Sequence, residues 1–168
     1  FNFTIDIIIN YLNTNNMKKT LFLIAILFSG ISFYGQYRTE KDLLGEKQIP
    51  DKAYYGVQTA RALENFQISG VETNFYPDYV KAYAMVKLAA ARANYEVGRM
   101  KKDRLDAIEK ACKAVMDGKY HDQFLTDLYQ GGAGTSANMN ANEVLANIGL
   151  ELSGHKKGEY QYLEPHDD

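Results

Sequence analysis

Between residues 131 and 144 the chain reads GGAGTSANMNANEV. Three glycines fall in four positions, Thr135 and Ser136 follow, and then come three asparagines at two-residue steps, Asn138, Asn140 and Asn142. The glycines read as a turn that delivers the chain to the start of a helix, with Thr135 or Ser136 as the N-cap. The first N–H groups of such a helix lack intrahelical acceptors, and the helix dipole is positive there, so the spot suits an anion. Glycine lets the backbone come close to that anion with no side chain in the way. Asn138 and Asn142 lie one turn apart on one face and are uncharged, so they would orient a ligand by hydrogen bonding. The stretch has neither the Gly-Lys-Ser/Thr ending of a phosphate loop nor dinucleotide-fold spacing. A carboxylate-sized anion site fits these residues, and so does a tight turn whose asparagines bond to neighbouring loops.

Such a turn needs elements to hold it. Ser136 to Leu152 reads as a helix with Val144, Leu145, Ile148 and Leu152 on one side and Gly154 as its stop. Upstream, Pro77 and Asp78 open a helix with Val80, Ala84, Leu88 and Ala91 inward, ended near Gly98. A second begins at Asp103, carries Leu105, Ile108, Cys112 and Val115 inward, and ends at Gly118. YYGVQTARALENF gives a shorter helix with Val57, Ala60, Leu63 and Phe66 on its apolar face. RTEKDLLGEKQIP, residues 38–50, has a Gly-Glu turn signal between extended runs and predicts a small hairpin or arm. VETNFYP is a connector, HDQFLTDLYQ is mixed, and the tail HKKGEYQYLEPHDD is polar. The expected fold is mainly α, with about four helices and one small β element.

Bulk properties narrow the class. A chain of 168 residues can form one domain with a real core, and a formal charge of −2 argues against a nucleic-acid surface. Cys112 is the sole cysteine, which excludes an internal disulfide, and its place on a helical apolar face predicts packing rather than reactivity. Lys101, Lys102, Lys110 and Lys113 read as a solvated face. No cofactor is expected, and His121 and His155 offer no paired spacing for a metal. Residues 1–16, FNFTIDIIINYLNTNN, read as translated upstream sequence. Residues 17–35 read as a signal peptide: Lys18 and Lys19, then an apolar core at 21–28 too short to span a bilayer, then Gly30 and Ser32 before a cut at Phe33. That reading predicts export to a periplasm or beyond without a stable membrane anchor. If Met17 is not the true start, the protein is cytoplasmic.

GAGTSANMNANEV resembles the first signature of the aspartase/fumarase superfamily, and RTEKDLLGEKQIPDKAYYGVQTARALENF resembles that family's N-terminal segment. The likeness runs from about Arg38 to Asp168, so 36–168 is expected to be a truncated N-terminal lyase domain. YYGVQT and GAGTS are similar to the forms found in the aspartate ammonia-lyase branch. Fumarases tend to show a Trp in the first and GSGTQS in the second. The resemblance implies anti elimination from a four-carbon dicarboxylate, aspartate to fumarate, through an aci-carboxylate dianion. Preorganised donors must hold that dianion before the C3 proton can leave. Carried over by motif, Thr135 would contact a substrate carboxylate, Gly134 and Ser136 would shape the same corner, and Asn138 would orient it. The family also implies a homotetramer.

LEPHDD, residues 163–168, falls where fumarases carry a secondary dicarboxylate site. Glu164 stands in the place of its His, His166 in that of its Asn, and Gln161 in that of its Arg. Asp167 alone matches. The family's base serine, on a Gly-Ser-Ser loop followed by Met-Pro and Lys, has no counterpart here. Its Thr-His pair, its Ser-Thr-Asn segment and the long helices of the central bundle are also missing. No catalytic residue is therefore expected in these residues, and the chain alone is expected to be inactive. The competing readings are a fumarate hydratase or another superfamily lyase, and a non-catalytic remnant or oligomerisation module.

Overall fold

The computed structural model describes residue 19 and residues 36–166. The upstream segment 1–16 and nearly all of the signal-peptide region lie outside the described residues, as do Asp167 and Asp168. Strands β1 (Tyr37–Asp42) and β2 (Gly45–Pro50) pair antiparallel in the register Tyr37↔Pro50 to Asp42↔Gly45. The hairpin tip is Leu43–Leu44, just before the predicted Gly-Glu pair. Gly45 takes φ 115° there, and Asp42 Oδ1 accepts the Leu44 N–H at 2.9 Å.

Four α-helices follow among the described residues: α1 (Val57–Asn65), α2 (Pro77–Glu96), α3 (Lys102–Met116) and α4 (Thr135–Leu152). Short 3-10 turns at Thr73–Phe75 and His121–Gln123 join them. Pro77 opens α2 with Asp78 in its first turn, as its sequence predicts. Gly98, Gly118 and Gly154 take positive φ just beyond the ends of α2, α3 and α4, which is the stop each was expected to supply.

The core is the meeting of α2, α3 and α4. Val80, Ala84, Leu88 and Ala91 face Leu105, Ile108, Cys112 and Val115, and Ala141, Val144, Leu145 and Ile148 close the third side. Cys112 is fully buried, and that burial pushes its thiol up to about 12. Lys101, Lys102, Lys110 and Lys113 are exposed; Lys102 pairs with Asp106 and Lys113 with Glu109.

Three expectations need correction. The buried face of α1 is Val57, Thr59 and Ala62, because Thr59 is turned inward by a carboxylate described below; Ala60, Leu63 and Phe66 sit at its margin. Leu152 is exposed because it lies on the opposite side of the last turn of α4 from Leu150, which is the residue buried there. The tail is not simply solvated: Leu163 is buried against Gly149, where a Cβ would lie 2.7 Å from Leu163 Cδ2, and the Tyr160 ring packs on the same core.

Candidate functional site

The glycine run forms the bend into α4. Gly132 and Gly134 take φ 70° and 81°, a region that strains any residue with a Cβ. Neither has a heavy atom within 4 Å of where a Cβ would stand, so backbone shape and not crowding demands glycine there. Gly131 is packed on the Phe66 ring, 3.1 Å from where a Cβ would stand, so the open space lies over Gly132 and Gly134.

The N-cap is Gly134 itself, and no side chain caps it; Thr135 and Ser136 are the first two helical residues. This corrects the expected capping role of those hydroxyls, because the left-handed Gly134 moves the helix start one residue earlier. Gln130 serves the third position instead, its Oε1 accepting the Ala137 N–H at 2.6 Å. The Asn138 N–H goes to Gly134 O, which closes the first turn. Among the described residues, the N–H groups and hydroxyls of Thr135 and Ser136 have no acceptor. Thr135 is exposed and Ser136 half-buried. Two unspent backbone donors and two hydroxyls thus stand at the positive end of an 18-residue helix, beside a bend whose largest side chain is the Ala133 methyl.

The asparagines divide. Asn140 is fully buried and structural: its Oδ1 accepts the Leu125 N–H at 3.0 Å and its Nδ2 donates to Gln123 O at 3.0 Å. Asn138 is half-buried, and its Oδ1 accepts from Lys87 Nζ at 2.7 Å across the α2–α4 contact. Among the described residues Asn142 meets only the Met139 sulfur, at 3.7 Å, and it lines a cavity of about 130 Å³ with Lys87, Leu145, Leu163 and His166. A loop-bonding role therefore describes Asn140 and not its neighbours.

Two anchors that the sequence pattern did not flag hold this region. Asp127 is nearly buried. Its carboxylate accepts N–H groups from Ile68, Ser69, Gly70 and Tyr129 and the Ser69 hydroxyl. Burial alone would push it up, but those donors together hold it well below the usual carboxylate range. Glu143, two turns into α4, is buried and caps α1 from outside. It accepts the N–H groups of Gly56 (2.9 Å), Gln58 (2.8 Å) and Thr59 (3.0 Å) and the Thr59 hydroxyl at 2.6 Å. Glu40 takes the Val57 N–H left between them, at 2.9 Å, and Tyr160 Oη donates to Glu40 at 3.1 Å. A Cβ on Gly56 would lie 2.5–2.8 Å from Glu40, Tyr160 and Glu143, so the carboxylates close on bare backbone. Sequence could have hinted at this: α1 lacks a capping side chain of its own.

At the second motif, the His166 N–H and Nδ1 both meet Glu164, at 2.7 and 3.0 Å. The histidine already answers to a carboxylate of its own chain, and Gln161 is exposed. Asp167 lies outside the described residues. No described helix is long and apolar enough to cross a membrane.

A family model described as Lyase matches residues 45–168. Aspartate ammonia-lyase of Pseudomonas fluorescens is 53% identical over 146 residues, which are 87% of this chain and 30% of that protein. Aspartate ammonia-lyase of Escherichia coli strain K12 is 58% identical over 131 residues, 77% of this chain and 27% of that one. Among solved structures, a fumarate lyase:delta crystallin of Brucella melitensis bound to cobalt matches with TM-score 0.78 and 51% identity, covering 79% of this chain and 29% of its own. The class II fumarase of Schistosoma mansoni matches with TM-score 0.68 and 38% identity, covering 74% and 26%. The chain spans about three tenths of the length of the curated relatives it matches. With its helical layers, its hairpin and its glycine bend in these positions, this chain belongs to the lyase family.

Proposed function

We propose that these residues are part of an aspartate ammonia-lyase, which eliminates ammonia from L-aspartate to give fumarate, and that the head of α4 grips a substrate carboxylate. One observation carries the site: the unspent N–H groups and hydroxyls of Thr135 and Ser136, presented by a bend whose glycines leave the approach clear. A dianion developing during elimination needs donors fixed in advance, and a helix head supplies them without reorganisation. Gly134 sets the direction, Thr135 and Ser136 donate, and Asn138 orients. The relatives named aspartate ammonia-lyase at 53–58% identity favour ammonia loss over hydration, since the fumarase match stands at 38%.

The test is a titration of the 15N-labelled chain with succinate, a dicarboxylate that cannot eliminate. The Thr135 and Ser136 amide signals should move and saturate, and Thr135→Val, which removes one of the four donors, should weaken binding by about fivefold or more. Movement confined to other residues, or none, overturns the site. The same reading makes the chain inactive alone, because the family's base loop has no counterpart in it; ammonia release from aspartate by these 168 residues contradicts that. The full-length protein is proposed to assemble as a homotetramer, and light scattering showing a monomer opposes it. Residues 17–35 are proposed as an export signal; a cytosolic product that retains Met17 to Ser32 ends that idea.

A further inference from the structure

Asn138 is useful to a carboxylate only through its NH₂ end. An amide is nearly symmetric in shape, so its neighbours decide which end faces the ligand. Here the neighbour is Lys87, whose Nζ lies 2.7 Å from Asn138 Oδ1. An ammonium has three donors and no acceptor, so it must face the oxygen. The Asn138 Nδ2 is then the free end, and among the described residues it donates to nothing.

Lys87 is itself unusual. It is half-buried at the edge of the cavity it shares with Ala90, Ala91 and Asn142, and no carboxylate among the described residues pairs with it. A lysine placed there for stability alone would be expected to hold an acid, since burying an unpaired ammonium costs free energy. Burial accordingly holds its ammonium below the ordinary lysine value. The cost is borne beside the helix head, where positive charge favours an anion.

Resting on the carboxylate-site reading above, we infer that Lys87 is a positioning residue for that site: by holding Asn138 Oδ1 from α2, it presents the Asn138 NH₂ to the incoming carboxylate. The role is distinct from direct contact. It predicts that the amide is locked before any ligand arrives, and that affinity depends on the donor to Asn138 rather than on long-range charge.

The experiment uses the whole 15N-labelled chain with succinate as probe, comparing wild type with Lys87→Met, Lys87→Arg and Thr135→Val. Methionine keeps most of the stem's volume, and an unchanged thermal midpoint checks the fold. Without ligand, the Asn138 side-chain NH₂ signals should move in Lys87→Met and stay near wild type in Lys87→Arg. With succinate, Lys87→Met should bind about fivefold more weakly, the worth of roughly 1 kcal/mol of one oriented hydrogen bond, and Lys87→Arg should recover most of it. The loss should persist at about 0.5 M salt, where a charge acting at a distance is screened. Binding weakened in Thr135→Val but unchanged in Lys87→Met overturns the inference and leaves the carboxylate site standing. A Lys87→Met loss that vanishes with salt, or unmoved Asn138 signals, overturns it equally. If wild type does not bind succinate, the site reading fails and this inference goes with it.

Discussion

Glu143→Ala is the most informative single change outside the site. The Glu143 carboxylate accepts three backbone N–H groups and the Thr59 hydroxyl at 2.6–3.0 Å, and the residue is 2% exposed. Thr59 and Gly56 are buried, so their donors find no ready water once the carboxylate is gone. Each orphaned buried donor costs about 1–3 kcal/mol. The Thr59 hydroxyl rotates toward another acceptor and Gln58 is half-exposed, so two donors bear most of the loss. With the void left by the missing side chain, the total comes to roughly 3–6 kcal/mol, a large share of the roughly 5–15 kcal/mol that holds a domain together. Glu143→Gln keeps one oxygen but points an NH₂ at donors. It also relieves the burial that pushes the Glu143 carboxyl up, so it should lose about half as much. Urea unfolding at pH 7, followed by circular dichroism, measures all three proteins. A loss below about 1 kcal/mol in Glu143→Ala would show that water replaces the carboxylate and that α1 does not depend on it.

Three further outcomes are expected. Gly56→Ala should lower the unfolding midpoint, because the new Cβ meets oxygens of Glu40, Tyr160 and Glu143 at 2.5–2.8 Å and must push these side-chain ends off the N–H groups they accept; an unchanged midpoint would contradict this. Asp127 is held below its ordinary range, so it contributes stability above the unfolded carboxylate value of about 3.9 that is lost as pH falls below it. Asp127→Asn should therefore flatten the acid side of the stability curve between about pH 4 and 2, and an unchanged slope refutes it. Cys112, with its thiol pushed up to about 12 in the core, should react with a thiol reagent only after unfolding, and fast labelling of native protein would place it elsewhere.

Much of the helical frame was legible because its signals are local. Pro77 and Asp78, the three- and four-residue recurrence from Val80 to Ala91, and the closing glycines each act within a turn or two of themselves. The glycine bend was legible for the same reason, since only backbone that needs positive φ keeps Gly132 and Gly134. What escaped was set by distant partners. Thr59 faces inward, against the apolar pattern of its helix, because Glu143 lies 84 residues away in the chain. Nothing near Glu143 in sequence marks it as different from a surface glutamate. Leu163 looked like one apolar residue in a polar tail, yet Gly149 leaves a hollow for it. Gly134 displaced the expected hydroxyl caps by a single residue, within the ordinary uncertainty of a helix boundary. Asn138, Asn140 and Asn142 look alike in sequence, and only the Gln123–Leu125 loop and Lys87 tell them apart.

The clasp of Glu40, Gly56, Glu143, Asn147 and Tyr160 has a consequence for how the chain is made. Tyr160 reaches Glu40 across 120 residues, and Asn147 joins Tyr54 O to the Tyr160 hydroxyl. An emerging polypeptide can wind α2 and α3 early, because their contacts are close in sequence. The hairpin has no finished berth until residue 160 has left the ribosome, so the earliest-made strands are the last to be secured. During that interval Ile49 of the hairpin, fully buried in the finished fold, and the bare head of α1 wait uncovered, whereas the tip at Leu43 and Leu44 faces solvent throughout.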